Sequence, residues 1–135
     1  MQTRRSNMLW FAAHAVHVFE LVSGRQTTFK VLEDVLMIRA RNAKSALAAA
    51  LRQVKRETVV DETLTLGNRP ARQRFLGIRK VVECAADLSD RTSHGGEVRE
   101  MKSGVEATYQ FYRIKGRDEL KRLMQGKDVE VILEE

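Results

Sequence analysis

The chain has 135 residues, with 24 Lys and Arg against 18 Asp and Glu and a formal net charge of +6. That length suits one domain that can bury a core without staples. Hydrophobic residues at 43% and charged residues at 31% exclude disorder throughout, as well as collagen-like or low-complexity sequence. One Cys excludes an intrachain disulfide framework and a Cys-rich zinc site.

Residues 1–8 read as a flexible N-terminus and 9–135 as a single domain. Arg4 and Arg5 precede an apolar run from Met8 to Val22, the outline of a secretory signal. His14, His17 and Glu20 interrupt that run, and it is too short and polar to span a bilayer. A cytoplasmic protein with no membrane partner is expected. Cys84, in Val81-Val82-Glu83-Cys84-Ala85-Ala86, reads as a small buried hydrophobe.

Residues 9–21 carry Trp10, Phe11, Phe19 and alternating apolar positions, which predicts a strand. Ser23-Gly24-Arg25-Gln26 supplies a turn, and residues 28–40 form a second strand, antiparallel to the first. Glu33-Asp34 interrupts its alternation and is expected to mark a bulge or an exposed edge. Asn42 suits a helix N-cap, and Ala43 to Glu57 is rich in strong helix formers. Ala43, Ala46, Leu47, Ala50, Leu51 and Val54 share one stripe, predicting close packing on a sheet.

The run from Asp61 to Gln73 holds the one Pro and reads as an exposed loop. Residues 74–85 predict a third strand, where Gly77 marks a bend or a close backbone approach. Residues 87–104 are polar, with turn signals at Ser93-His94-Gly95-Gly96 and a short strand allowed at Glu97–Met101. Residues 105–114 alternate as a strand, Asp118 to Gln125 as a helix with an Asp118–Arg122 pair, and Val129 to Leu133 as a last strand. The expected fold is α+β and two-layer, a mostly antiparallel sheet of about four to five strands with two helices in the order β-β-α-β-β-α-β.

Four short elements resemble an uncharacterised bacterial family catalogued as domain of unknown function 4288. They are Trp10-Phe11 in the opening strand, the strand Glu33–Ala40 running into a helix with Ala43, Ala46 and Ala50, Phe75-Leu76-Gly77-Ile78, and Gly104-Val105-Glu106-Ala107-Thr108-Tyr109. The resemblance covers most of residues 9–112. It implies no activity, cofactor or catalytic residue.

No P-loop, dinucleotide fingerprint, zinc-protease motif, EF-hand loop or hydrolase elbow is present. His14 and His17, three apart on a strand, point to opposite faces and cannot chelate one metal together. Adjacent carboxylates, such as Glu33-Asp34, diverge for the same reason and are not acid–base dyads by spacing. No catalytic, cofactor or metal residue is therefore assigned, and no cofactor is expected. The positive charge is the remaining signal: Arg52, Lys55 and Arg56 on the first helix, with Arg69, Arg72 and Arg74 beyond it, form a candidate anion- or partner-binding patch. Acidic Glu57, Asp61 and Glu62 sit in the same stretch and weaken its field.

These features point to a non-enzymatic protein-interaction or accessory module, as a homodimer or with an acidic protein partner. The alternatives are a nucleic-acid-binding protein using helix 43–57 and loop 69–80, and a small enzyme whose site is assembled from distant residues. A deep pocket lined by several polar groups with perturbed pKa values would overturn the non-enzymatic reading.

Overall fold

The structure is a computed structural model that describes residues 8–57, 61–85, 92–94, 97–99 and 101–134. The hairpin expected from the turn at Ser23–Gln26 forms: β1 (Leu9–Leu21) pairs antiparallel with β2 (Thr28–Ala40) from Leu9 opposite Ala40 to Phe19 opposite Lys30. Gln26 holds the turn, accepting from Leu21 N at 2.8 Å and donating to the Phe19 and Thr28 carbonyls at 3.1 Å each. The chain continues through α1 (Ala43–Glu57), β3 (Thr65–Leu66), β4 (Arg69–Glu83), β5 (Thr92–His94), β6 (Glu97–Arg99), β7 (Val105–Lys115), α2 (Arg117–Met124) and β8 (Ile132–Leu133). The main sheet has six strands in the order β3-β4-β1-β2-β7-β8, with antiparallel pairing throughout, and β5 and β6 form a separate hairpin.

The α+β class, the antiparallel sheet and the two helices agree with expectation, while the main sheet is longer than the expected four to five strands. The two added strands, β3 and β8, are two residues each and too short to leave a periodicity in the sequence. The run Asp61–Gln73 is not one open loop, since Gly67-Asn68 closes a tight hairpin that brings β3 onto β4 at Thr65–Pro70 and Leu66–Arg69. Both turn residues have positive φ, the Gly-Asn chemistry of a primed hairpin turn. The Gly95-Gly96 turn and residues 1–7 lie outside the described residues.

Side-chain parity on β1 decides how the layers stack. Odd-numbered Phe11, Ala13 and Ala15 pack with Leu36, Ile38 and Ala40 of β2 under Ala46, Ala50 and Val54 of α1. Even-numbered Val16 and Val18 pack with Phe29, Val31, Tyr112 and Ile114 under Leu120 and Leu123 of α2. The helices therefore cover opposite faces and opposite ends of the sheet, rather than sharing one layer. Asn42 caps α1 as expected, its Oδ1 accepting from Ser45 N at 2.8 Å.

The register of β4 against β1 slips twice, with Leu76 and Arg79 as the extra residues, which keeps residues three apart on one face. Phe75, Ile78 and Val81 face the α1 core and Leu76 the α2 core. Gly77 is the close approach anticipated: at φ +143° a Cβ there would sit 3.2 Å from Met124 Cε of α2.

Candidate functional site

The hairpin register builds two histidine–carboxylate pairs, one on each face of the sheet. Glu33-Asp34 is neither a bulge in the β1–β2 ladder nor an edge, because β2 lies mid-sheet between β1 and β7. Its two side chains point to opposite faces, as do those of His14 and His17, so each carboxylate meets one His across the strand pair.

On the α2 face, Glu33 is a saturated structural acceptor. Its Oε2 lies 2.6 Å from His14 Nδ1, and its Oε1 accepts from Arg79 Nε at 2.8 Å and from the Tyr112 hydroxyl at 2.7 Å. Burial alone would raise the Glu33 pKa, but the bonds from Arg79, Tyr112 and His14 together outweigh it and hold the carboxyl below its ordinary range. Arg79 reaches this carboxylate because the bulge turns it inward. Further along the same face, buried Glu20 accepts from Arg74 Nε at 2.7 Å and Arg72 Nε at 2.9 Å, with Arg117 Nη1 at 4.0 Å.

The α1 face differs, because its polar groups are not saturated. A cavity of about 400 Å³ opens between the end of α1 and the sheet. Its floor is Ala15 and His17 of β1 with Asp34 and Leu36 of β2, and its walls are Val54 and Glu57 of α1, Gln73 of β4, and Gly104 and Glu106 at the start of β7. Gln53 of α1 donates to the Gly104 carbonyl, and Gly104 N donates to Met37 O at 2.7 Å, which fixes the β7 wall.

His17 is 8% exposed. Its Nδ1 is buried without a hydrogen-bond partner among the described residues, and its Nε2 stands 3.8 Å from Asp34 Oδ2, beyond hydrogen-bond reach. Burial lowers its pKa, so the imidazole is neutral at neutral pH and the Asp34 contact is not an ion pair. Asp34 of β2 and Glu106 of β7 are neighbouring carboxyls that both face this cavity. Burial is the main cause that raises both pKa values, and the nearby Glu57 charge raises both further. Three carboxyls and one orphaned imidazole thus line a cavity to which no Lys or Arg among the described residues contributes, in a chain of net charge +6. Among the described residues no group of three His, Cys, Asp or Glu has metal-ligand geometry.

The six residues of the basic patch fall in three places. Arg52, Lys55 and Arg56 are exposed on α1. Arg72 and Arg74 lie in strand β4, not in a loop, and turn to the opposite face, where Glu20 holds them. Arg69 starts β4 and donates from Nη2 to the Ser23 carbonyl at 3.1 Å. The acidic cavity was missed because its members come from five elements and none forms a sequence motif. The one usable signal was the register set by the Ser23–Gln26 turn, which places His17 diagonal to Asp34.

No family model, curated protein or solved structure matches the chain. Among the described residues no helix is long and apolar enough to cross a membrane.

Proposed function

We propose that this chain is an accessory module that binds a ligand in the cavity between α1 and the sheet. One observation carries the reading: His17 is buried on the cavity floor with Nδ1 unpartnered among the described residues, whereas Nδ1 of its counterpart His14 is held by Glu33. Leaving a buried polar atom unpaired costs about 1–3 kcal/mol, and a ligand that supplies the partner recovers it. A volume of about 400 Å³ falls within the range of small-molecule sites. Gly104 and Glu106, the opening positions of the Gly-x-Glu-x-x-Tyr element, line the same cavity, so the family resemblance and the site reading concern one place.

A fragment screen read by amide chemical shifts tests the reading. Hits that shift Ala15, His17, Leu36 and Glu106 together support it. Hits confined to other surfaces, or none, overturn it.

A second reading concerns self-association. Among the described residues, β8 covers β7 only at Tyr112 and Arg113, leaving the outer edge of Val105–Gln110 unpaired. That stretch carries one charge, Glu106, and exposes Val105 and Tyr109. The opposite free edge, on β4, is guarded by Arg72, Arg74 and Lys80. We therefore propose a homodimer joined along β7.

A further inference from the structure

We infer that the cavity takes an amphipathic organic cation: an ammonium, amidinium or guanidinium group carried on a small apolar body. The inference rests on the cavity being a ligand site and goes on to name the ligand's class. Its basis is the arrangement of the lining. Asp34, Glu57 and Glu106 approach from β2, α1 and β7, while Ala15, Leu36 and Val54 supply an apolar strip beside them. β1 contributes His17, neutral at neutral pH, and β4 contributes uncharged Gln73, so among the described residues nothing cationic in the lining competes for the carboxylates.

An anionic ligand would face three acidic groups with no Lys or Arg among the described lining residues, since Arg72, Arg74 and Arg79 are held by Glu20 and Glu33 on the other face, and Lys30 and Arg113 by Glu134. A bare divalent metal is disfavoured because the described residues offer no three-ligand geometry. A planar or tetrahedral N–H cation suits better. It donates several hydrogen bonds at once, and its apolar body covers Leu36 and Val54. Such a cation can also sit between Asp34 and Glu106. By favouring the ionised forms of these carboxyls, whose pKa values burial raises, binding drives proton release to solvent, and the ligand's single positive charge offsets one of the two negative charges.

The test uses three isosteric probes on the full chain: benzamidine as the cation, benzamide as the neutral form and benzoate as the anion. Titration calorimetry near pH 6 in phosphate and in MES, which both buffer there and whose ionisation heats differ, counts protons released. The expected result is benzamidine binding at least tenfold tighter than either isostere, with net proton release and amide shifts at His17 and Glu106. Glu106→Gln, whose parent side chain is exposed and so tolerates the change, should lower benzamidine affinity at least tenfold and abolish proton release without unfolding the chain.

Benzamide or benzoate binding as well as benzamidine overturns the cation assignment while the cavity reading stands. No shift at these residues with any probe, or with a wider fragment set, overturns both. Zinc binding at His17 and Asp34 with no response to benzamidine replaces the organic cation by a metal and also sinks the inference.

Discussion

Two carboxylates adjacent in sequence, Glu33 and Asp34, titrate in opposite directions because strand parity sends them to different environments. Glu33 has three donors and its pKa is lowered, whereas Asp34 has burial and like-charged neighbours and its pKa is raised. The consequences for stability have opposite signs. For Glu33, the depressed folded value means its contribution is complete above the unfolded carboxylate value, about 4.3, and is lost as pH falls through the folded one. Glu33→Ala leaves Arg79 and the Tyr112 hydroxyl without their acceptor, so it should cost about 3–5 kcal/mol at neutral pH and flatten the acid limb of the urea-unfolding profile. For Asp34, the raised folded value means stability is lost as pH rises from the unfolded value through the folded one. Asp34→Asn should therefore raise the melting temperature at pH 7 and leave it nearly unchanged at pH 3.5. An equal gain at both pH values would show that charge is not the cause.

At the scale of elements, β4 is where local sequence and tertiary demand conflict most. Its two extra residues keep Phe75, Ile78 and Val81, three apart, on the α1 face, and Gly77 between them sits at φ +143° against α2. Gly77→Ala should cost about 1–3 kcal/mol from backbone strain, measured by chemical denaturation. Adding Met124→Ala should not restore the loss, because removing the methyl makes room for a Cβ without changing the φ it must adopt. Of these elements the sequence made β1, β2, α1, α2 and most of β7 legible, since each carries a run long enough to show its period. Ala46, Ala50 and Val54 declared the sheet-facing side of α1 before any fold was known. The start of β4 was illegible because Pro70 and the arginines around it mimic a loop. Arg122 pairs with Glu119 rather than the expected Asp118, a choice between neighbouring turns that spacing does not make. The cavity was not legible, because it depends on which strand neighbours which, and only β1–β2 adjacency follows from a short turn.

At the scale of the whole molecule, the distribution of charge separates the remaining readings. Exposed Arg52, Lys55 and Arg56 lie on the α1 side, and Arg72 and Arg74 lie across the sheet around Glu20, so the six residues of the sequence patch do not form one phosphate-tracking surface. The same side-to-side division leaves the β7 edge as the least guarded backbone on the molecule. An isologous pairing there would place Val105 and Tyr109 of one copy beside the same strand of the other and continue the sheet across the two-fold axis. Sedimentation at micromolar concentration should then give a species of twice the 15.4 kDa chain mass. Val105→Lys with Tyr109→Lys introduces like charges across such an edge and should return the chain to monomer without lowering its melting temperature by more than a few degrees, because both side chains are exposed in one copy. The control is a pair of lysines on the already basic β4 edge, at Gln73 and Val82. If that control dissociates the dimer and the β7 pair does not, association runs through β4 instead. A 15.4 kDa species alone for the unaltered chain would rule out both edges.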